Sequence, residues 1–396
     1  MTRVSRYIPY LLAALVALIP FGRLSELGLL ALILLGLSAW RQVRLSPLAI
    51  AFAVIFIPML FALMDAEHLS ESAASTFGYL RFGALALALY VLLNHEQLVR
   101  SERLIAVIVV LWSIDACVQV IFGRDLLGYA ITEDRVNGVF GDGNLKLGAT
   151  LAVLGAVVLE VAARRSLWAW MAAVALLSSV ILLAGTRAAW LMWACVVGLY
   201  GWWLLGGKRR TRVLKITAIA LAGVLLVGLS YTQSERFAQR VDRTAMILNG
   251  DRAALDSALA YRLEIWETAA RMFAHNPLNG IGVRGFRYSY PAYADSTDRF
   301  ISADRQTGAA HPHQLLLEFA AETGGLGVLG LLGFMAVLIK AWLRASSAAR
   351  TRARPYAAAL VAVAFPLNTH YAWFSSFWAL LIWLTVALYC VALREE

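Results

Sequence analysis

Residues 311–340 read HPHQLLLEFAAETGGLGVLGLLGFMAVLIK, and this stretch contains the boundary that decides the fold. A polar run, residues 232–310, ends at His311-Pro312-His313, and a long apolar run begins directly afterwards. About 20 consecutive, mostly apolar residues suffice to cross the hydrocarbon core of a bilayer. The sequence therefore predicts a histidine at the point where a water-facing segment enters a membrane.

The composition of the whole chain agrees with a membrane protein. Of its 396 residues 61% are hydrophobic and only 15% are charged, which is far less polar than a soluble domain. Apolar runs of about spanning length lie at residues 7–22, 24–40, 46–64, 77–93, 103–122, 145–163, 167–184, 187–205, 213–231, 314–340, 355–370 and 371–393. We therefore predict an all-α polytopic membrane protein with about twelve transmembrane helices, the first of them a signal anchor rather than a cleaved signal peptide.

The distribution of basic residues predicts the orientation in the membrane. The net charge is +10, and most Lys and Arg outside the polar run fall in loops that share a side with the N-terminus. Because short cytoplasmic loops are enriched in Lys and Arg, both termini are expected to be cytoplasmic. The positive charge thus reflects topology, and no nucleic-acid partner is predicted. The chain divides into residues 1–231 with nine spans, a large external loop at 232–312, and residues 313–396 with three spans.

Two outward-facing segments before the large loop carry polar residues. The first is a glycine-rich loop with Arg135, Asn144 and Lys146. It fits either an ordinary turn-rich connection or the mouth of a polar cavity. The second places Arg187 at the end of a span with almost no loop beside it. Such an arginine either extends to the interface or faces a polar cavity.

The large loop contains a predicted amphipathic helix. Apolar residues recur at helical spacing over Leu255–Phe273, with Trp266 on the apolar stripe and Arg262 and Arg271 on the polar side. Asn276-Pro277 then predicts the end of this helix. Arg accounts for 31 of the 35 basic residues, so the ten Arg of the loop partly reflect a general preference of the chain. A solvated surface position remains the simplest interpretation of any one of them.

The start of the span after the loop is the most specific signal. His313 lies at the membrane boundary, and Glu318 and Glu322 follow within the span, about one helical turn apart. Carboxylates inside a span usually face the bundle interior and have a partner. A histidine at this depth suits a general base, although a helix-capping role is equally consistent with the pattern. Within the other spans, Arg81 and Asp115 are predicted to form an ion pair.

Four segments, taken together and in order, resemble signature elements of the O-antigen ligase and O-antigen polymerase superfamily of bacterial envelope glycosyltransferases. They are Arg135…Gly138…Phe140-Gly141…Asn144, Gly185-Thr186-Arg187-Ala188, Arg262…Trp266…Asn276-Pro277…Gly280-Ile281-Gly282, and His313-Gln314…Leu317…Glu322…Gly324…Gly327. Gln314 stands where the family usually has Asn. The resemblance covers residues 130–340 well, and the outer spans only by their topology.

The resemblance implies a GT-C-like transferase of the bacterial inner membrane whose active site faces the periplasm. Its donor would be a glycan linked to undecaprenyl pyrophosphate. His313 matches the family's catalytic histidine, and Arg187 and Arg262 are the residues best placed to bind the pyrophosphate. Substrate binding or support of the site is expected from Arg135, Asn144, Lys146, Trp266, His311, Gln314, Glu318 and Glu322.

The acceptor distinguishes the members of the superfamily. A ligase transfers the glycan to lipid A–core, whereas a polymerase transfers it to another lipid-linked glycan. One large loop, where polymerases typically have two, favours the ligase. A protein O-oligosaccharyltransferase is a third possibility, and a lipid-linked sugar flippase is a non-enzymatic alternative, but the expected internal repeats and broken helices are absent from the sequence. No cofactor or metal is expected; the one external carboxylate pair that resembles a metal motif is Asp65-Ala66-Glu67.

Overall fold

The computed structural model describes residues 5–37, 46–132, 135–204, 261–365 and 372–395, with a few isolated positions between residues 205 and 260. Within these ranges the chain forms α-helices and short 3-10 turns but no β-strand, as predicted. The helices in chain order are α1 (Ile8–Leu18), α2 (Ser25–Leu37), α3 (Pro47–Phe61), α4 (Leu69–Leu92), α5 (His95–Phe122), α6 (Leu147–Ala163), α7 (Leu167–Leu183), α8 (Arg187–Leu204), α9 (Leu263–His275), α10 (Phe286–Tyr293), α11 (Leu315–Arg344), α12 (Ser347–Ala364) and α13 (Ser376–Leu393).

Several of these helices can cross a membrane. Five segments of the described chain are long and apolar enough: Ile8–Leu37, which comprises α1 and α2, together with α4, α5, α11 and α13. The helices α3, α6 and α7 are apolar but shorter. The total of about twelve spans remains a prediction, and the predicted ninth span, residues 213–231, lies outside the described residues.

Local sequence explains several helix boundaries. Asn94 and Gln97 form a capping box at the start of α5, in which each side chain accepts a hydrogen bond from the other residue's backbone N–H. Ser46 and Ser166 cap α3 and α7 in the usual way, through the backbone N–H three residues later. The helix α5 ends at Gly123, whose φ of +76° is the left-handed conformation that terminates many helices.

The helices α6 and α13 form the centre of the bundle. Nearly every residue of α6 and every residue from Trp378 to Leu393 of α13 is buried. A helix that is apolar on all sides fits such a position, because it has no face that needs water. The peripheral helices expose large apolar side chains instead, among them Leu34 and Trp168, as expected for surfaces that face lipid.

A break in α11 is the feature of the fold that shapes the site, and it shows that the expectation of no broken helix was wrong for this span. Gly324 interrupts the helix with φ +64° and ψ −162°. The loop over residues 277–282 pairs with the break: the N–H groups of Gly325 and Leu326 donate to Pro277 and Leu278, and those of Ile281 and Gly282 donate to Ala321 and Glu322. The loop thereby satisfies backbone groups that a helix interruption would otherwise leave without partners.

Glycine is required on both sides of this contact. A Cβ atom at Gly324 would lie 2.2 Å from the carbonyl oxygen of Leu278, and one at Gly280 would lie 2.5 Å from the backbone of Glu322 and Thr323. Both residues also have positive φ, which L side chains rarely adopt. The backbones of the loop and of α11 therefore touch directly.

Three sequence predictions need correction. The amphipathic helix α9 begins at Leu263, so Arg262 is its N-cap residue rather than a member of its polar face. The helix α4 begins at Leu69, eight residues before the predicted span, because the polar segment there is also helical. Arg81 and Asp115 do not pair: Arg81 lies 3.2 Å from Glu26, since α4 packs against α2 and α13.

Candidate active site

A strained turn precedes α11 and presents two histidines. His313 has a φ of +54°, in the left-handed region that a residue with a side chain seldom occupies. The rings of His311 and His313 lie 3.8 Å apart, centroid to centroid, and are tilted by 44°. Both histidines are half-buried. A strained conformation at a half-buried imidazole is typical of a functional site rather than of an ordinary loop.

Two hydrogen bonds fix the backbone of this turn. The indole N–H of Trp266 donates to the carbonyl of Pro312 at 3.0 Å. On the other side, the Oε1 atom of Gln314 accepts the backbone N–H of Leu317 at 2.6 Å, so that Gln314 caps α11. The residue that departs from the family pattern therefore has a defined structural role, and His313 is held between the two contacts.

The positive charges of Arg187 and Arg262 act on each other. Arg187 is the first residue of α8 and follows Gly185, whose φ is +70°. Arg262 is the N-cap residue of α9. Burial and the neighbouring charge of Arg187 lower the pKa of Arg262 to about 10. Two guanidinium groups repel each other, and an anion bound near both would relieve this repulsion.

The helix α9 connects this arginine pair to the histidine turn. Arg262 accepts the backbone N–H of Trp266 at 2.9 Å, one helical turn further along, and Trp266 contacts Pro312. Four residues correspond to roughly 6 Å along a helix axis. The buried face of α9, with Ile265, Ala269 and Met272, packs in a small hydrophobic cluster with α10 and α11. Trp266 of the predicted apolar stripe is only partly buried against this cluster.

The loop before α6 contacts two different parts of the protein, the end of α7 and the start of α13. Val136 donates its N–H to Leu183 at 3.3 Å, which brings the loop beside the end of α7, close in sequence to Arg187. Arg135 precedes it, and its Nε is buried without a hydrogen-bond partner. Asn144 accepts the N–H of Lys146 at 3.2 Å, a contact within the turn. Lys146 lies 4.4 Å from the centre of the Phe377 ring at the start of α13, and burial lowers its pKa.

Glu318 and Glu322 are fully buried and organise backbone. Glu318 accepts the N–H groups of Trp373 at 2.9 Å and of Phe374 at 3.3 Å. Glu322 accepts the N–H of Arg284 at 2.7 Å. These two carboxylates therefore hold neighbouring segments against α11.

The Asp65-Ala66-Glu67 segment is engaged in contacts within the protein. Asp65 accepts the amide of Asn279 at 2.7 Å, and Glu67 accepts the hydroxyl of Tyr293. The backbone N–H of Glu67 also donates to Ile281 at 3.2 Å. Within the described residues no group of three or more His, Cys, Asp or Glu could hold a metal ion. The segment that contains this carboxylate pair is therefore held by hydrogen bonds against the loop over residues 277–282, which pairs with α11.

One polar residue near the site escaped the sequence analysis. Arg284 follows the Gly280-Ile281-Gly282 turn, has a φ of +60°, and has a buried Nη1 atom without a hydrogen-bond partner. Its position two residues after the glycine turn could have marked it as a site residue, but the loop contains so many arginines that no single one stood out.

Taken together, the fold and the site define an all-helical membrane protein with a histidine and two arginines gathered beside one end of a broken helix. Comparison with known families refines this description. Residues 172–332, from within α7 to within α11, match the O-antigen ligase family model. This match supports membership of the O-antigen ligase and polymerase superfamily, and the matched range contains Arg187, Arg262 and His313. No curated protein sequence matched the chain.

Proposed function

We propose that the chain is an O-antigen ligase, which transfers O-antigen polysaccharide from undecaprenyl pyrophosphate to a sugar hydroxyl of lipid A–core. The observation that carries this proposal is the hydrogen-bonded connection from Arg262 through Trp266 to the His313 turn, together with the like charge of Arg187 that acts on Arg262. This arrangement combines a binding site for an anionic leaving group with a base.

In the proposed reaction, His313 acts as the general base. Its neutral imidazole accepts the proton of the acceptor hydroxyl while the hydroxyl oxygen attacks the anomeric carbon of the donor glycan. The bond between that carbon and the pyrophosphate oxygen breaks, and the lipid pyrophosphate leaves with the electron pair. Attack on the face opposite the leaving group inverts the anomeric configuration.

Arg187 and Arg262 would stabilise the leaving pyrophosphate. Guanidinium groups remain protonated at neutral pH and donate two parallel hydrogen bonds to phosphate oxygens. Even with its pKa lowered to about 10, Arg262 carries its charge at pH 7. Because two fixed positive charges already face the leaving group, the proposed reaction needs no metal ion.

The ligase is preferred to the polymerase because the sequence has one large polar loop rather than two. A protein O-oligosaccharyltransferase would use the same donor chemistry. The site is proposed to face the periplasm, with both chain termini in the cytoplasm and the protein in the bacterial inner membrane, which follows from the distribution of basic residues.

Reconstitution of the purified protein with both lipids tests the mechanism. We expect His313→Ala to lower the transfer rate by about 10²- to 10⁴-fold, as for the loss of a general base. The matched control is His275→Ala, since His275 is an exposed histidine at the far end of α9 and should be dispensable. Retained transfer by His313→Ala, or complete loss of transfer with EDTA, would overturn the mechanism.

Gene deletion separates ligase from polymerase. A ligase deletion should leave bare lipid A–core while lipid-linked polymer accumulates. A core that carries one repeat unit would instead identify a polymerase.

A further inference from the structure

A polar cavity lies at the start of α13. Its volume is about 270 Å3, and it opens between the outer parts of α4 and α13 and the residue that follows the glycine turn. Apart from the Tyr79 hydroxyl, the polar groups of its described lining are two guanidinium groups and three seryl hydroxyls, from Arg81, Arg284, Ser75, Ser375 and Ser376. None of the described residues that line it is acidic. A lining of this kind is suited to an anion.

The two carboxylates of α11 hold the backbone of two residues that line this cavity. Glu318 holds the backbone of Phe374, a lining residue, and Glu322 holds the backbone of Arg284. Glu318 is the fourth residue of α11, and His313 lies in the turn directly before this helix. The cavity and the proposed base therefore belong to one continuous piece of structure, but they are separate sites.

The start of α13 adds positive potential. The first turn contains no acidic residue, and Ser375 does not cap the helix, since its hydroxyl donates to Ala372 at 2.8 Å. Arg81 instead donates to the hydroxyl of Ser376 at 2.9 Å, and Lys146 lies over the Phe377 ring on the same turn. Cations at the N-terminal end of a helix are unfavourable unless an anion neutralises them, because that end already carries partial positive charge.

Arg284 provides a further observation, independent of the start of α13, that points to a bound ligand. Its Nη1 atom is buried without a hydrogen-bond partner, and the residue is held at a positive φ by the bond of its N–H to Glu322. Glu318 and Glu322 attract its charge from behind the cavity wall, but both accept backbone N–H groups. Arg81 has a half-exposed partner, Glu26, and such pairs are weak enough for an anion to compete.

We propose that this cavity binds a phosphate monoester carried by the acceptor lipid. This inference rests on the proposed function, which assigns the donor pyrophosphate to Arg187 and Arg262 and so leaves the second anionic site to the other substrate. The lining is partly aromatic, through Tyr79, Phe82 and Phe374, as expected for a headgroup site next to lipid. The cavity would orient the acceptor so that its hydroxyl reaches His313.

Direct binding tests the proposal without requiring turnover. Purified protein in nanodiscs is titrated with lipid A–core and with the same lipid after removal of its phosphates. We expect Arg284→Gln to weaken binding of the phosphorylated lipid by about 10-fold or more, as for the loss of a charged hydrogen bond, and to leave binding of the dephosphorylated lipid unchanged. Arg124→Gln, at an exposed arginine that donates to Gly128 at 2.8 Å, is the matched control.

A second variant tests the cavity independently, in case Arg284→Gln does not fold. Ser376→Asp places a carboxylate in the cavity at the first turn of α13, where an acidic side chain favours the helix. We expect this variant to fold with unchanged or higher thermal stability and to lose the preference for the phosphorylated lipid.

Three outcomes would overturn the proposal. They are equal affinity of the unmodified protein for both lipids, an unchanged preference in both cavity variants, and competition by inorganic phosphate as strong as that by the phosphorylated lipid, which would assign the cavity to a free ion. Failure of the proposed transfer reaction would appear separately, as loss of glycan transfer by a protein that still distinguishes the two lipids.

Discussion

At the residue scale, backbone strain coincides with the proposed chemistry. Four residues other than glycine have positive φ in the described part of the chain: Tyr261, Arg284, Arg305 and His313. Tyr261 directly precedes Arg262, and Arg284 and His313 belong to the two polar sites. Each such residue costs of the order of 1–3 kcal/mol and persists only when its surroundings enforce it. The hydrogen bonds of Trp266 to Pro312 and of Glu322 to Arg284 provide that enforcement.

The repulsion between Arg187 and Arg262 leads to a prediction about stability and binding. We expect Arg262→Gln to raise the free energy of unfolding of the ligand-free protein slightly, by about 1 kcal/mol or less, because partly hydrated charges interact weakly. The same variant should lose the thermal stabilisation that inorganic pyrophosphate gives the unmodified protein.

Thermal denaturation in detergent, with and without pyrophosphate, measures both effects. The sign follows from the pKa: the charged form of Arg262 is disfavoured in the folded protein, so the penalty is present at pH 7 and disappears as the pH rises through about 10. Equal stabilisation of both proteins by pyrophosphate would contradict the assignment.

At the element scale, the two helices next to the site have different tasks. The turn before the broken helix α11 carries the proposed base, and α11 itself supplies two carboxylates that hold neighbouring segments. The short helix α9 carries Arg262 at one end and positions the histidine turn through Trp266. Both tasks depend on the backbone contact between α11 and residues 277–282.

Gly324→Ala tests that contact. The added methyl group would lie 2.2 Å from the carbonyl oxygen of Leu278, at a residue whose φ is +64°. We expect a loss of stability of about 2–4 kcal/mol, as for other combinations of overpacking and backbone strain. The control is Gly333→Ala on the same helix, where the new Cβ would lie 3.7 Å from Val54, an ordinary contact. Equal thermal stability of the two variants would show that the break is not rigid.

Trp266→Phe tests the positioning role of α9. The ring is retained, but the N–H that donates to Pro312 is lost. We expect kcat to fall by about 10-fold, as for the loss of a hydrogen bond that orients a catalytic group, with little change in KM. A rise in KM at unchanged kcat would instead indicate that Trp266 contacts the substrate.

At the scale of the whole molecule, the bundle separates a lipid-facing exterior from a central pair of helices, α6 and α13. Their burial leaves the polar residues of the site at one end of the bundle, where the loop over residues 277–282 and the start of α13 meet α11. The orientation in the membrane decides whether this end faces the periplasm.

Cysteine labelling tests the orientation. In a background without the three native cysteines, we expect Asp304→Cys in the large loop to react with a membrane-impermeant maleimide in intact spheroplasts. Ala348→Cys, at the exposed start of α12, should react only after the membrane is permeabilised. Reaction of both positions under the same condition would refute the proposed topology.

The sequence by itself determined the helical membrane class and most helix positions, and it singled out the histidine and the two arginines of the proposed site. It could do so because apolar length, capping residues and the order of short motifs are local properties of the chain. The error over Arg81 and Asp115 is equally instructive, since periodicity places each residue in a span but does not specify which helices pack together.

Only the tertiary structure decided how these residues meet. The break at Gly324, its pairing with residues 277–282 and the wall-building role of Glu318 and Glu322 all depend on contacts between distant segments. The same is true of the cavity between Arg81 and Arg284, whose two arginines are about two hundred residues apart in the chain. Side chains that share a site only after packing leave no periodic signal in the sequence, because their spacing is set by the fold and not by a helix repeat.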